Sequence, residues 1–208
     1  MALQILFVHG MGRTPLSGAA LFLRCRKNDI KASTFGYVTA LQTFATIHDR
    51  LVKRIVEMAS QGEYILVRHS LGGVLIRSAL SELPPATKLP QHVFLLGSPI
   101  AASRMAKKLH RQWLYRVMTG DCGQLLASDQ RMAKIAALAI PTSSIVGTKR
   151  INGKYSPFLD EANDGVVAVS ELSANWIKEE IRVPVIHTLL PASRLVSDLI
   201  LRIVKRNH

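Results

Sequence analysis

Short apolar runs alternate with longer helical patterns along this chain, and this alternation limits its fold more than any other feature. The six runs that predict strands cover residues 5–8, 32–38, 64–67, 93–96, 143–146 and 183–186. Pro184 lies inside the last run and suits an edge position, because proline cannot donate to a neighbouring strand. Strands separated by helices predict an α/β chain with a minimal, mostly parallel six-stranded sheet and helices on both faces.

Helical periodicity fills most of the sequence between these strands. Apolar residues recur three or four positions apart in the segments 16–27, 41–59, 71–79 and 195–203. The segment 101–140 is helical and basic and has no strand signal. We therefore expect a single domain over residues 1–208, in which 101–140 forms a small helical cap and the main determinant of specificity.

The apolar residues near the middle of this cap segment are Trp113, Leu114, Tyr115, Val117 and Met118. Our preferred interpretation is that they form the inner face of ordinary packing helices. They could equally line an acyl-binding surface. Because Lys107, Lys108 and Arg111 lie beside Trp113, the segment also fits weak contact with an anionic membrane surface.

The formal net charge of +13 is the least ordinary property of the composition. Such a charge can attract nucleic acid, anionic lipid or acidic partners. The chain contains no zinc-finger spacing, no aromatic RNA-binding motif and no run of five lysines or arginines. We therefore interpret the charge as a basic, solvated surface and expect no nucleic acid partner.

The compartment is predicted from the N-terminus and the cysteines. The sequence begins without a basic region or a small-residue cleavage site, which argues against a signal peptide. Cys25 and Cys122 are too few for a disulfide framework or a zinc site, so we expect free thiols. Together these features predict a cytoplasmic protein.

Reactive side chains follow three of the predicted strands. Ser70 follows the third strand, Asp164 lies in the loop after the fifth, and His187 follows the sixth. Because the carboxyl ends of parallel strands meet at one edge of a sheet, these side chains should lie close together. A serine hydroxyl is a weak nucleophile that needs a base, and the base needs an orienting acid. We predict Ser70 as nucleophile, His187 as general base and Asp164 as the orienting acid.

Two backbone amides complete the predicted site. The amide of Leu71 lies at the start of a helix, where N–H groups point at an oxyanion. The amide of Met11, in a loop that contains Gly10 and Gly12, would be the second donor of the oxyanion hole. Gly72 and Gly73 would allow the helix after Ser70 to pack closely against a strand.

Each assignment has a simpler alternative. Ser70 could be only the N-cap of a helix, Asp164 a turn former, and His187 a hydrogen-bonded histidine at a strand end. Asp160 and Glu161, in the same loop as Asp164, are rival candidates for the acid.

These motifs resemble the α/β-hydrolase superfamily, on the side of its small lipases and esterases. The resemblance covers most of the chain and depends on residues 7–12, 69–73, 97–99, 164–167 and His187. It implies an α/β-hydrolase fold and cleavage of a small carboxylic ester or thioester through an acyl-enzyme. No metal and no organic cofactor are expected. The segment after residues 97–99 would line the acyl pocket or form the cap.

Arg68 departs from the pattern of that superfamily, which is G-x-S-x-G around the nucleophile. Arg68 takes the place of the first glycine, so its side chain must either point out of the turn or distort it. It could be tolerated in a working enzyme, or it could adapt the site to an anionic substrate. It could also disable the site, in which case the chain would be a catalytically impaired hydrolase-fold protein that binds a ligand or partner.

Overall fold

One parallel sheet forms the centre of the structure. The computed structural model describes residues 3–150, 157–158 and 160–207. The strands are β1 Gln4–Val8, β2 Lys31–Phe35, β3 Tyr64–His69, β4 His92–Leu96, β5 Thr142–Gly147 and β6 Glu179–Val183. Their order is β2-β1-β3-β4-β5-β6, and every pairing in this sheet is parallel. The predicted six-stranded α/β architecture is confirmed.

Helices cover both faces of this sheet. They are α1 Ala19–Arg26, α2 Phe44–Ser60, α3 Leu71–Ser81, α4 Arg104–Leu109, α5 Trp113–Ala127, α6 Asp129–Ala133 and α7 Arg194–Asn207. Successive strand residues point to opposite faces. In β1, Leu6 packs with α2 and α3, whereas Phe7 packs with α1 and α7. Both faces are therefore buried, which explains why the central strands are continuous apolar runs. No helix in the described ranges is long and apolar enough to cross a bilayer.

Two predicted strand boundaries are wrong. The last strand is not 183–186 but Glu179–Val183, and Pro184 lies just after it. It is an edge strand, as expected, but Glu180 and Arg182 point to solvent, so it is not an apolar run. The second strand ends at Phe35 rather than at residue 38. The apolar-run criterion therefore fails at both outer strands, which are less buried than the central ones.

The helix predicted over 41–59 begins later than expected. Its N-cap is Thr43, whose hydroxyl accepts a hydrogen bond from the Thr46 amide at 3.2 Å. Leu41 consequently lies outside α2 and is 83% exposed. Cys25 and Cys122 are free and buried, as predicted.

The segment 101–140 contains three helices, α4, α5 and α6, as its helical character predicted. The preferred interpretation of its apolar residues is wrong for four of the five. Trp113, Leu114, Val117 and Met118 are exposed, whereas Tyr115 packs partly against the core. Gly120, with φ 54° and ψ −143°, kinks α5, and only the part of α5 after this kink is mostly buried.

Candidate active site

Ser70 occupies a sharp turn between β3 and α3. Its φ of 51° and ψ of −123° are rare for a residue that is not glycine. Its amide donates to the carbonyl oxygen of Leu96 at 3.0 Å, which ties the turn to the end of β4. The hydroxyl makes no capping hydrogen bond to α3. Ser70 is thus the N-cap of α3 by position, but its side chain does not cap the helix, and the strained turn lies at the carboxyl edge of the sheet.

Two glycines allow α3 to start directly against the sheet. A Cβ atom on Gly72 would lie 2.6 Å from the carbonyl oxygen of Val8, and one on Gly73 would lie 2.4 Å from Cβ of Ser98. Neither space can accept a methyl group without a shift of the neighbouring atoms. The predicted role of Gly72 and Gly73 in close packing is confirmed.

The loop after β1 runs directly over the Ser70 turn. A Cβ atom on Gly10 would lie 2.6 Å from Nδ1 of His69 and 3.0 Å from Cβ of Ser70. Met11 follows, and Gly12 turns the chain with a φ of 65°. In the described part of the chain, no backbone acceptor faces the amide of Met11 or that of Leu71. These two amides are therefore free to donate near Ser70.

His9 and Tyr37 fix the start of this loop. The Tyr37 amide donates to Nε2 of His9 at 3.3 Å, and the Tyr37 hydroxyl donates to the His9 carbonyl oxygen at 2.7 Å. The two rings are stacked with centroids 4.3 Å apart. Because Nε2 accepts, Nδ1 carries the proton and donates to the Gly10 carbonyl at 2.8 Å. Burial lowers the pKa of His9, consistent with a neutral, structural histidine.

His187 and Asp164 form a buried pair at the same edge. Nδ1 of His187 lies 2.7 Å from Oδ2 of Asp164. His187 is 5% exposed and Asp164 is 1% exposed. The other carboxylate oxygen, Oδ1, accepts from the amides of Val166 and Val167 at 3.0 and 2.8 Å. The His187 amide also donates to the Asp164 carbonyl at 2.9 Å. Asp164 is thus anchored and holds His187 with Nε2 on the far side of the ring.

The two rival acids do not approach His187. Glu161 binds Arg104 and accepts a hydrogen bond from the Ser170 amide. Hydrogen bonds from Ser170 and Arg104 lower the pKa of Glu161 to about 2. Asp160 is exposed to solvent. Of the three candidate acids, only Asp164 contacts the histidine.

Gly97 and His69 connect the acid–histidine pair to the serine turn. A Cβ atom on Gly97 would lie 3.0 Å from Nδ1 of His187 and 3.1 Å from Oδ2 of Asp164. Gly97 directly follows Leu96, the residue that accepts the Ser70 amide. On the other side of the turn, Nε2 of His69 lies 3.0 Å from the His187 carbonyl oxygen.

Among the described residues, the Ser70 hydroxyl itself has no hydrogen-bond partner. Catalytic hydrogen bonds are often open without substrate.

Arg68 points away from the serine. Its Nη1 reaches back along β3 to the carbonyl oxygen of Leu66 at 3.3 Å, and the residue is 0% exposed. Its Nε and Nη2 atoms have no partner in the described part of the chain. Burial, with a smaller contribution from Arg77, lowers the pKa of Arg68 well below its usual range. The sequence allowed the Arg68 side chain either to point out of the turn or to distort it. In the structure it points out of the turn and reaches back along β3.

No protein-family model matches this sequence, and no curated protein matches it. Solved structures do. A lipase from Bacillus licheniformis, BlEst2 in its mature form, is similar over 97% of this chain and 91% of its own, with a TM-score of 0.74 and 17% identity. An extracellular α/β-hydrolase from a Paenibacillus species is similar over 96% of this chain and 98% of its own, with a TM-score of 0.65 and 14% identity. The chain has the α/β-hydrolase fold.

A thioesterase of the prodiginine pathway from Streptomyces coelicolor, RedJ, shares this fold. It is similar over 98% of this chain and 89% of its own, with a TM-score of 0.68 and 14% identity. At such identities the likeness concerns the α/β-hydrolase fold alone. The resemblance that the sequence motifs predicted is therefore confirmed at the level of the fold.

Two cavities flank the candidate site of this α/β-hydrolase fold. One, of about 490 Å³, lies beside the loop after β1, and its lining includes Arg13, Tyr37, Val38 and Leu41. The other, of about 400 Å³, lies beside the His187 segment and is lined mainly by apolar residues, among them Leu189. Both are large enough for a small acyl or leaving group, and among the described residues neither lining includes Ser70 or His187.

The sequence did not reveal the contacts of His9 and His69. Both lie in motifs that were recognised, but only the fold brings His69 to the His187 carbonyl and Tyr37 to His9. The partners are 118 and 28 positions away in sequence, so no local signal could have identified them.

Proposed function

We propose that this protein is a serine hydrolase that cleaves carboxylic esters or thioesters through an acyl-enzyme. The observation that carries the proposal is the buried pair of His187 and Asp164 beside a strained turn at Ser70. A serine that only caps a helix does not require a positive φ, and a histidine that only packs in a core does not require an anchored carboxylate. The nucleophile, base and acid roles of a serine hydrolase explain all three residues.

The chemistry follows from the positions of these atoms. Nε2 of His187 accepts the proton as the Ser70 oxygen attacks the carbonyl carbon of the substrate, and it then delivers that proton to the departing alcohol or thiol. Asp164 fixes the tautomer of His187 and stabilises the imidazolium. Water repeats the sequence on the acyl-enzyme and releases the acid. The free amides of Met11 and Leu71 receive the oxyanion, and each such donor is typically worth about 3–4 kcal/mol of barrier.

The nature of the fold neighbours supports an ester or thioester as the bond that is cleaved. They include a lipase and a thioesterase, whose reactions differ only in the leaving group. A cytoplasmic location is part of the proposal, because both cysteines are unpaired and buried. The alternative of an impaired binding protein depended on Arg68. Because Arg68 reaches back to Leu66 and not to Ser70, its position argues against this reason for lost activity.

Hydrolysis of a chain-length series of p-nitrophenyl esters and the corresponding thioesters tests this proposal. The parent protein should turn over at least one series and show a burst of alcohol or thiol release. Ser70→Ala should reduce kcat by about 10⁴-fold or more. Ser81→Ala, an exposed serine on the same helix, should be unchanged. A folded parent protein without activity on either series, or full activity of Ser70→Ala, would contradict the proposal.

A further inference from the structure

The first half of α5 exposes a continuous apolar surface. Before the kink at Gly120, the outward side chains are Trp113, Leu114, Val117 and Met118, with exposed fractions of 74, 53, 61 and 59%. Residues spaced in this way lie on one side of a helix. Tyr115 and Thr119 lie on the inner side, where Thr119 is buried. We call the four exposed residues the α5 face.

The α5 face adjoins the rim of the candidate active site. The Thr39 hydroxyl donates to the Met118 carbonyl oxygen at 3.2 Å, and a Cβ atom on Gly120 would lie 2.5 Å from the Thr39 carbonyl oxygen. Thr39 lies in the loop after β2, between Val38 and Leu41. Val38 is 53% exposed and Leu41 is 83% exposed, and both line the cavity beside the loop after β1. Exposed apolar side chains therefore extend from α5 to the cavity beside the loop after β1.

Positive charge borders the α5 face. Arg111 and Arg116 are exposed, and neither forms an ion pair within the described part of the chain. Lys107 and Lys108 lie in the preceding helix, α4, where Lys107 pairs with Asp129. The first turn of α5 contains no acidic residue. The acidic residue nearest to these positions in the sequence, Asp121, follows the kink and binds Arg131. An exposed apolar stripe with a basic border is complementary to a surface that is apolar inside and anionic outside.

We propose that the α5 face docks the protein on an anionic lipid bilayer, with Trp113, Leu114 and Val117 inserted among the acyl chains and Arg111 and Arg116 at the headgroups. Exposed apolar patches on soluble proteins mark interaction sites, and amphipathic helices with basic borders bind anionic membrane surfaces in this way. A second copy of the chain fits less well, because a symmetric contact would bring the basic borders together. Docking would place the rim of the site at the lipid surface, and it does not require Ser70 to be active.

Sedimentation with vesicles tests the proposal. Vesicles of phosphatidylcholine with phosphatidylglycerol should bind the parent protein at least about tenfold more tightly than phosphatidylcholine alone, and the difference should shrink at high salt. The double variant Trp113→Ser/Val117→Ser should bind the anionic vesicles about tenfold more weakly. The matched control is Leu23→Ser/Leu89→Ser, which removes two residues of 62% and 52% exposure outside the α5 face and should bind as the parent does.

Further measurements separate folding, catalysis and self-association from docking. Equal thermal unfolding of all variants establishes that the double variant is folded, and Arg116→Glu should weaken anionic binding without removing apolar surface. Ser70→Ala should bind vesicles as the parent does, so failure of the catalytic proposal would leave this result intact. Equal binding to both vesicle types, no binding, or an equal loss in the control would overturn the proposal. So would a dimer of the parent that the double variant abolishes, because the α5 face would then belong to a second copy.

Discussion

Nε2 of His69 lies 3.0 Å from the carbonyl oxygen of His187, so the residue before the proposed nucleophile holds the backbone of the proposed base. A carbonyl oxygen can only accept, so His69 carries its proton on Nε2. Burial, and then the neighbouring His187, lower the pKa of His69 well below its usual range, which keeps the ring neutral. We therefore propose that His69 is a positioning residue that holds the backbone of His187 beside the Ser70 turn.

Removal of this hydrogen bond should impair turnover. We expect His69→Leu to reduce kcat by about tenfold or more with little change in KM, because a small misplacement of the base is costly in the transition state. His69→Gln, which keeps an N–H donor of similar reach, should recover part of the loss. Steady-state kinetics on the preferred ester measure both effects. Equal kcat of His69→Leu and the parent would show that the hydrogen bond from His69 to the His187 carbonyl does not contribute to the reaction.

Loss of the Asp164 carboxylate should disable the histidine. Asp164→Asn retains the size of the side chain but favours the wrong tautomer of His187, so we expect kcat to fall by about 10³–10⁴-fold at neutral pH. The control is Asp160→Asn, an exposed carboxylate in the same loop that should have no effect. Rates for both variants should be measured alongside urea unfolding. If the two variants have similar activities, Asp164 is not the orienting acid.

Replacement of Arg68 separates its cost to stability from any role in catalysis. Its guanidinium is completely buried and makes one hydrogen bond, to Leu66. We expect Arg68→Met to raise the free energy of unfolding by about 1–3 kcal/mol, because a buried cation with no acidic partner among the described residues is replaced by an apolar chain of similar length. Turnover should change by less than about twofold, since the side chain lies away from Ser70.

Arg77→Met is the comparison for Arg68→Met. Arg77 is also buried, but it donates to the carbonyl oxygens of Ile100, Ile135 and Ala136 at 3.2, 2.8 and 3.0 Å. Its loss should destabilise the protein in urea unfolding, because three backbone carbonyl oxygens lose a hydrogen bond to a buried donor. A large gain of activity in Arg68→Met would instead support the hypothesis that Arg68 impairs the site.

His92 should make stability depend on pH. Burial, followed by the charge of Lys178, lowers the pKa of His92 from 6.5 to about 4. Between these values the unfolded chain binds a proton and the folded chain does not. The free energy of unfolding should therefore fall as the pH drops from about 6.5 to about 4, by at most about 1.4 kcal/mol per pH unit.

The slope assigned to His92 can be measured by urea unfolding across this pH range. His92→Gln should flatten the slope, and His110→Gln, at a partly exposed histidine, is the matched control for the loss of one imidazole. An unchanged slope in His92→Gln would mean that another group causes the acid sensitivity.

The sequence predicted the parts of this fold whose signals are local. The central strands are buried on both faces, so their apolar runs located them well, and Ser70, Asp164 and His187 lie after strand ends as expected. β6 was misplaced because its outward residues Glu180 and Arg182 break the apolar run. An edge strand needs only one buried face, and a criterion based on continuous burial cannot detect it.

Interactions across the fold could not be predicted. From the sequence, the Arg68 side chain could either point out of the turn or distort it. The structure shows that it reaches back to Leu66. Apolar residues at helical spacing usually indicate a core face, so Trp113 and Val117 were assigned to packing, but they are exposed. Periodicity indicates that residues share a side of a helix, and it does not indicate whether another element covers that side.

Labelling with a fluorophosphonate probe, which reacts preferentially with activated serines, tests most directly whether Ser70 is the nucleophile. The parent protein and Ser81→Ala should each take up one equivalent of probe, and Ser70→Ala should take up none. Labelling should slow in Asp164→Asn, because the base is no longer oriented. If the folded parent protein is not labelled, or if Ser70→Ala is labelled as fully as the parent, Ser70 is not the nucleophile and the account of the site is wrong.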